Sequence, residues 1–395
     1  MSDVLILAGA TVVDARGVVA GPTDVYIEGS EVAGLRTGAR PSEATVLDVG
    51  GKTVCPGLMN AHVHVCFDGS VDPEPAFLGE GDVEMAINAM PRLAETVRRG
   101  VTTIRDLGGN ETVTLPLAAA IEAGLLAGPR MVPAGRVITM TGGHGHWMGL
   151  EVDGVDEARK ATRRMIKAGA RAIKVMATAG MMTLGQRAGA PQLTIAEMRA
   201  CVEEAHKAGL KVAAHAEGRE GAANAIEAGV GSIEHGHGLD DELLERMAAE
   251  RVALVPTIAC DRAITRLGPQ AGIPKFIVDD CARLAPSLEQ ALRRAIEIGV
   301  PIVAGNDGGA PLTHPGDIVD ELEIYVEMGM SPVQALASAT TAAAGLLGLP
   351  DVGLVDPGQR ADLLVLDGDP VESIGALRDP LLVIAGGRIV GAGTH

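Results

Sequence analysis

Two histidines spaced i, i+2 close an apolar run, since residues 57–64 read GLMNAHVH and contain His62 and His64. On a β-strand, residues two apart point to the same face. Both imidazoles would therefore leave the strand end side by side, as two ligands of one metal do. The alternative is an exposed strand end that carries two histidines and no metal. The pattern is short, so the choice depends on ligands elsewhere in the chain.

Four more polar residues lie in or at the end of apolar segments: Lys174, His215, His235 and Asp307. Lys174 is inside AIKVM, where a bare ammonium would be costly unless it is paired or modified. The two histidines precede loops, and Asp307 lies in VAGNDGG, where glycines allow close approach of a ligand. Each residue alone fits a hydrogen-bonded buried group. Together, at strand ends, they indicate one shared site.

Short apolar strands alternate with amphipathic helices through the middle of the chain. Strands are predicted at 54–64, 101–106, 131–138, 170–176, 210–215, 230–235, 252–256 and 300–307, and helices at 82–99, 111–126, 155–168, 194–208, 219–228, 239–249, 275–299, 316–328 and 331–347. Eight strand–helix repeats predict an α/β fold with a (β/α)8 TIM-type barrel, whose strand ends meet at one mouth. A doubly wound sheet is the alternative, but no Gly-x-Gly-x-x-Gly follows the first strand.

The two chain ends are predicted to contain short strands without intervening helices. These strands lie at 4–7, 11–13, 25–27 and 32–35, and again at 361–366 and 381–390. Neither end alone is long enough for a good core. We therefore expect residues 1–56 and 352–395 to form one small β-sandwich beside a barrel of residues 57–351. A separate domain at each end is the alternative.

Composition limits the possible partners. The chain has 395 residues, with 33 Lys+Arg against 51 Asp+Glu and a net charge of −18, which disfavours nucleic acid and anionic membranes. Five scattered cysteines without a Cys-x-x-Cys pair favour a reducing compartment. No apolar run reaches the ~18–20 residues of a membrane span, and no signal peptide is recognisable. We expect a soluble, cytoplasmic protein that acts on a small molecule.

In this order the polar residues resemble those of the amidohydrolase superfamily of metal-dependent hydrolases, over essentially the whole chain. The matching stretches are GLMNAHVH at 57–64, IKVM at 173–176, HAEG at 215–218, IEHG at 233–236 and AGND at 304–307. The resemblance implies a barrel with a composite β-sandwich, a homo-oligomer, and two divalent metal ions, usually Zn2+. It implies that one metal is held by His62, His64 and Asp307, the other by His215 and His235, and that carboxylated Lys174 bridges both.

Imidazole and carboxylate ligands suit zinc, and paired metals can activate water and polarise a carbonyl. The resemblance thus predicts hydrolysis of an amide bond by a metal-bound hydroxide, without a covalent enzyme intermediate. Asp307 would act first as general base and then as general acid towards the leaving nitrogen. A non-catalytic scaffold is the alternative outside enzymes, although every expected ligand position is filled.

Within the superfamily the chain most resembles the imidazolonepropionase-like group, which includes Xaa-Pro dipeptidase-like and arginine/lysine carboxypeptidase-like enzymes. The resemblance rests on residues 133–146, PAGRVITMTGGHGH, after the third predicted strand. His144, as a catalytic group, or His146 would hydrogen-bond the scissile carbonyl or a substrate carboxylate. Trp147 would stack on the ligand, and Glu217 would bind a charged part of it.

The expected activity is that of a dipeptidase or carboxypeptidase on peptide-like or N-acyl amino acid bonds. The loop after Lys174 reads AGMMTLGQR at 179–187, whereas such dipeptidases often have Gly-Gly and a Ser-Pro-rich loop. This difference leaves other substrates open. The alternatives are hydrolysis of carbamates, phenylureas or other xenobiotic amides, hydrolysis of a cyclic amide, and deamination.

Overall fold

The computed structural model describes residues 4–183 and 185–392, so Leu184 of the predicted loop and residues 1–3 and 393–395 of the predicted sandwich lie outside it. Within that range, no helix combines the length and the apolar character needed to cross a bilayer. The strands are β1 Val4–Asp14, β2 Gly17–Glu28, β3 Glu31–Arg36, β4 Thr45–Asp48, β5 Thr53–Pro56, β6 Leu58–Val63, β7 Val101–Asp106, β8 Arg130–Pro133, β9 Ile138–Thr139, β10 Leu150–Glu151, β11 Ile173–Met176, β12 Val212–Ala216, β13 Ser232–His235, β14 Ala253–Val255, β15 Leu363–Leu366, β16 Leu382–Ala385 and β17 Arg388–Ala392.

The helices cover the middle of the chain. They are α1 Pro73–Gly79, α2 Asp82–Arg98, α3 Glu111–Glu122, α4 Val155–Ala168, α5 Ile195–Lys207, α6 Arg219–Ala228, α7 Asp241–Glu250, α8 Ile258–Ala271, α9 Lys275–Ile298, α10 Ile318–Glu327, α11 Pro332–Ser338 and α12 Thr341–Leu347. The helix predicted at 194–208 is confirmed as α5, and a capping box starts it, because Thr194 and Glu197 cap each other's backbone amides.

Two parallel sheets carry the segments that end in polar residues. One sheet has the order β6-β7-β8 and the other the order β10-β9-β11-β12-β13-β14. Every pairing in them is parallel. Their strands are buried almost throughout, because helices cover the outer faces and the inner faces pack on one another. The carboxyl ends of these parallel strands therefore point the same way.

The predicted strand at 300–307 is wrong as a regular strand, although its backbone lies between the two parallel sheets. Leu254 N–H donates to Pro301 O (2.9 Å), and Ala61 N–H donates to Ala304 O (2.8 Å). Only isolated bridges form along it, at Ile302 and Gly308, and Asp307 has a φ of 57°. A second contact joins the two sheets near β8. There the N–H of Arg171, which lies just before β11, donates to Pro133 O at the end of β8 (2.8 Å).

Strands from both chain ends share one mixed sheet of eight strands, with the order β17-β16-β15-β5-β1-β2-β3 and β4 beside β1. Strand β15 pairs with β5, which joins the two ends of the chain. The hydrogen bonds define one continuous sheet, whereas the prediction was a sandwich of two. The cause is the length of β1, which pairs with β4 through residues 5–8 and with β5 through residues 11–12.

Other boundaries also differ from the predictions. The strands predicted at 4–7 and 11–13 are the single strand β1, because Gly9 forms a bulge and its amide donates to Asp24 Oδ1 (3.0 Å). The strand predicted at 131–138 is interrupted and forms β8 and β9. The helix predicted at 331–347 is divided into α11 and α12. Between them, the carbonyl of Ala339 accepts a hydrogen bond from Met59 N–H of β6 (2.8 Å). Helices α1 and α8 were not predicted.

Candidate metal centre

His62 and His64 lie at the end of β6, and each ring is held through its Nδ1. His62 Nδ1 lies 2.9 Å from Glu234 Oε2, and His64 Nδ1 lies 2.8 Å from Gly108 O. The Nε2 atoms then lie 3.4 Å and 3.3 Å from the same oxygen, Asp307 Oδ1. The i, i+2 spacing therefore directs both rings to one carboxylate, which comes from the segment that runs beside β6.

Two glycines beside Asp307 also permit close contacts within the protein. A Cβ on Gly305 would lie 2.9 Å from His62 Cβ and 2.5 Å from a methyl carbon of Val255. A Cβ on Gly309, whose φ is 108°, would overlap the carbonyl oxygen of His64. These glycines let the segment pack against β6, and it is this protein contact that they permit.

Lys174, His215 and His235 come to the same place from β11, β12 and β13. Lys174 Nζ lies 3.5 Å from His62 Nε2, and the lysine is 1% exposed. The ring of His235 lies 5.0 Å from that of His62 and 4.6 Å from that of His215, between centroids. His235 has a φ of 68°, an uncommon backbone conformation for a side chain of its size. The structure thus brings together all six residues that the resemblance names as ligands.

The donor atoms of this cluster fit a divalent metal centre. Within the described residues, two groups have potential ligand atoms within 4.8 Å of one another: His62, His235 and Asp307, and His215, Glu217 and His235. His215 Nε2 and Asp307 Oδ1 are buried and have no partner with hydrogen-bond geometry, although His62 Nε2 and His64 Nε2 lie near that oxygen. Such atoms are costly when left bare, and a cation satisfies them. Nitrogen and oxygen donors of this kind suit zinc.

Burial and neighbouring histidines shift the pKa values of three groups of the cluster. It lowers the pKa of His62 to about 4 and the pKa of Lys174 to about 8. Burial by itself raises the pKa of Asp307, but His62 and His64 beside it lower that pKa below its ordinary range. Neutral imidazoles and an ionised carboxylate are the forms that bind metal.

Arg105 and Glu234 support His62, and the sequence analysis missed both. Arg105 donates to Glu234 Oε1 (2.9 Å) through Nη2 and to Ala61 O (2.6 Å) through Nε. Both side chains are buried, and Glu234 Oε2 contacts His62 Nδ1. A carboxylate behind a ligating histidine fixes its ring orientation and tautomer. A charged residue within a buried strand is the same signal that singled out Lys174, and it marks these two residues as well.

Arg105→Met is expected to lower the free energy of unfolding by about 3–5 kcal/mol, because the buried carboxylate of Glu234 loses its cationic partner. Urea unfolding of the wild type and the variant measures this difference. Arg266→Met is the matched control, since Arg266 lies exposed on α8 and does not line the cavity beside the site. A loss for Arg105→Met no larger than that of the control would show that the pair carries no such stabilisation.

A cavity of about 390 Å³ opens beside the cluster and is lined by all four predicted substrate residues. The ring of His144 stacks on that of His215 (4.2 Å between centroids), and its Nδ1 lies 2.7 Å from Thr183 Oγ1. His146 is exposed at the wall, and Trp147 is half-buried. Glu217 is buried and also belongs to the second candidate ligand group.

Other lining residues were not predicted and come from α8, α9 and the segment around α1. They include Asp72, Glu74, Cys260, Asp261, Ile264, Ile277 and Cys281. None of these residues carries a local motif. They reach the cavity because α8 and α9 pack across the strand ends. The spacing of residues in the sequence did not predict that packing.

Comparisons with known proteins agree with this geometry. Residues 53–390 match the amidohydrolase family. Ochratoxinase from Aspergillus niger is 30% identical over 364 residues, which cover 83% of this chain and 73% of the relative. Two similar solved structures are a prolidase complexed with N-methylphosphonate-L-proline (TM-score 0.91, 31% identity, 99% of this chain and 100% of that chain) and a Xaa-Pro dipeptidase with bound methionine (TM-score 0.89, 32% identity, 98% and 99%).

The chain belongs to the amidohydrolase family, which confirms the predicted resemblance. It is an enzyme of the class that hydrolyses carbon–nitrogen bonds.

Proposed function

We propose that this protein is a binuclear-metal hydrolase of peptide-like or N-acyl amino acid amide bonds, with dipeptidase or carboxypeptidase activity. The observation that carries the proposal is the pair of buried, unpartnered atoms, His215 Nε2 and Asp307 Oδ1, within a cluster of metal-ligand type. The prolidase and the Xaa-Pro dipeptidase, similar over nearly the whole chain, support the substrate class. The residues that would hold the two ions, with zinc as the expected metal, are His62, His64, Lys174, His215, His235 and Asp307.

Lys174 would bridge the two ions as a carbamate. Its ε-amine is buried beside His62, and burial lowers the pKa of Lys174 to about 8, which favours the neutral amine. A neutral amine attacks carbon dioxide, forms one N–C bond and releases one proton. The product is an anion, so the buried cation is replaced by a ligand that two cations neutralise.

Two divalent ions held by these residues would lower the pKa of water and polarise the scissile carbonyl. Asp307 takes the proton of the attacking water and delivers it to the leaving nitrogen, since it remains ionised and its side chain is 17% exposed towards the cavity. His144 is neutral, because burial lowers its pKa to about 3. The Nδ1 of His144 lies against Thr183 Oγ1. Its Nε2 would therefore donate a hydrogen bond to the scissile carbonyl.

The architecture that positions these groups is proposed as a closed (β/α)8 barrel of residues 57–351, with residues 1–56 and 352–395 as the composite β unit. The support is the backbone contact of the 300–308 segment with β14 and β6, together with the hydrogen bond from Arg171 to Pro133. The pairing of β5 with β15 supports the composite unit. A homo-oligomer remains a prediction from the family.

A second candidate function is hydrolysis of a xenobiotic amide. The cavity wall combines Trp147 and Phe67 with Met181, Met182 and Ile264, so it offers a large apolar surface to a ligand. The similarity to ochratoxinase at 30% identity favours this candidate as well. Both functions would use the same ligand cluster and differ only in the group that the cavity accepts.

Metal analysis and a substrate screen test the proposed function. We expect the purified protein to hold about two divalent ions per chain, and chelation to remove the ions and the hydrolytic activity together. Added Zn2+ should restore both. The screen compares dipeptides and N-acyl amino acids with aryl carbamates and cyclic ureides. Undiminished hydrolysis by a metal-free, folded protein would refute the metal assignment, and cleavage of cyclic ureides alone would refute the substrate class.

A further inference from the structure

His235, one of the two histidines proposed for the second ion, is held by a residue outside the ligand set. Its Nδ1 lies 2.8 Å from the hydroxyl oxygen of Thr257, and both side chains are buried. A histidine that binds a metal through Nε2 carries its proton on Nδ1 and donates it to a nearby acceptor. The hydroxyl oxygen of Thr257 is such an acceptor, so its position favours the ring tautomer whose Nε2 can bind a metal.

Thr257 is the N-cap residue of α8, but its hydroxyl does not serve as a cap. A threonine at an N-cap ordinarily accepts a hydrogen bond from an amide in the first turn of the helix. The hydroxyl of Thr257 caps no amide of α8, all of whose residues the structure describes. Its φ is 53°, a left-handed conformation that is an outlier for a β-branched residue. Such a conformation persists where the surrounding structure holds it in place.

Glu321 of α10 caps α8 in place of Thr257. It is fully buried, and its Oε1 and Oε2 accept hydrogen bonds from Ile258 N–H (3.0 Å) and Ala259 N–H (2.7 Å). These are the amides of the first two residues of the helix, which have no partner inside it. Burial raises the pKa of Glu321 to about 8, but the contacts require acceptor oxygens rather than a charge. Because Glu321 satisfies these amides, the hydroxyl of Thr257 is available to His235.

We propose that Thr257 and Glu321 position His235 for metal binding, and that Glu321 acts through Thr257. The proposal rests on the proposed function, since it concerns the support of one of its metal ligands. Glu321 fixes the start of α8, the start of α8 holds Thr257 in its left-handed conformation, and the hydroxyl of Thr257 orients the ring of His235. Neither Thr257 nor Glu321 is among the described residues that line the cavity, so both are positioning residues.

Zinc affinity of matched threonine variants tests the role of the hydroxyl. Thr257→Val keeps the shape of the side chain without the hydroxyl, whereas Thr257→Ser keeps the hydroxyl. In competition with a chromophoric chelator, we expect Thr257→Val to weaken the binding of one ion by about 10- to 100-fold, the usual cost of losing a group that orients a metal ligand. Thr257→Ser should keep most of the affinity. Thr162→Val is the control, because this buried hydroxyl donates to Ala158 O within α4 (2.9 Å).

A double variant tests whether Glu321 acts through Thr257. Glu321→Gln replaces one acceptor oxygen with an amide donor that faces an N–H of α8, so it should also weaken zinc binding. Added to Thr257→Val, it should cause little further loss, because the hydroxyl through which it acts is already absent. Glu327→Gln is the control and should bind zinc as the wild type does. Glu327 is an exposed residue of α10 that also contacts α8, through an ion pair with Arg262 (2.6 Å).

Three results would overturn the proposal: wild-type zinc affinity in Thr257→Val, an equal loss in Thr257→Ser, and full additivity in the double variant. Failure of the proposed function is a different result, because the wild type would then bind no zinc. In that case nitrogen-15 NMR of the metal-free protein with labelled histidine decides the inference. The signal of His235, identified by its absence from His235→Gln, should show the proton on Nδ1 in the wild type and lose this preference in Thr257→Val. A proton on Nε2 in the wild type would overturn the inference.

Discussion

Asp307→Asn is expected to lower kcat of the zinc-loaded enzyme by about 10³- to 10⁴-fold, the upper range for loss of a general base. The amide has nearly the same shape as the carboxylate but cannot accept the proton of the attacking water. Asparagine also tolerates the left-handed backbone at this position, where φ is 57°. The fold should therefore survive, and the loss should appear in turnover.

Steady-state kinetics at saturating Zn2+, together with metal content and urea unfolding, separate chemistry from folding. Asp156→Asn is the matched control, because Asp156 is exposed in the first turn of α4, away from the cavity. The control should keep wild-type turnover. If Asp307→Asn retained a tenth or more of the wild-type kcat, Asp307 would not be the proton carrier.

Lys174→Ala is expected to lose both the paired metals and about 10⁴-fold or more in kcat, as when an essential catalytic group is removed. The reason is that the proposed carbamate supplies the single ligand common to both ions. The lysine is 1% exposed, so alanine also leaves space beside His62. A small carboxylate such as acetate or propionate should enter that space and restore part of the activity.

Metal analysis and carbon-13 NMR after exposure to labelled bicarbonate measure this effect. A carbamate signal should appear in the wild type and be absent from Lys174→Ala. Lys160→Ala is the control, since Lys160 is exposed on α4 and should keep signal, metals and turnover. A Lys174→Ala protein that holds two ions per chain with near wild-type turnover would exclude the bridging role.

The two variants separate two roles within one cluster. Asp307→Asn keeps an oxygen that faces His62 and His64, so it should retain more metal than Lys174→Ala does. Parallel loss of metal in both variants would show that the ions depend on every member of the cluster. Retention of the metals in Asp307→Asn and their loss from Lys174→Ala would support proton transfer at Asp307 and the bridge at Lys174, and the reverse result would contradict both roles.

The sequence was most informative where a polar residue interrupts an apolar segment. Lys174, His215 and His235 are recognisable because a charged or polar group in a buried strand is costly unless it has a use. The same local signals placed most helices within a few residues, as at α4 and α6. They missed the helix α8, and they divided β1 in two where a glycine forms a bulge inside the strand.

The sequence by itself determined the alternation of strands and helices, the six candidate ligands and the family, since each depends on residue type and local spacing. Only the tertiary structure decided which side chains meet. Arg105 and Glu234 are 129 positions apart, and Asp307 reaches His62 because Gly305 lets two segments approach closely. It also decided the charge of the cavity, where α1 and α8 bring carboxylates to the strand ends. Contacts between distant segments depend on packing, which local patterns do not encode.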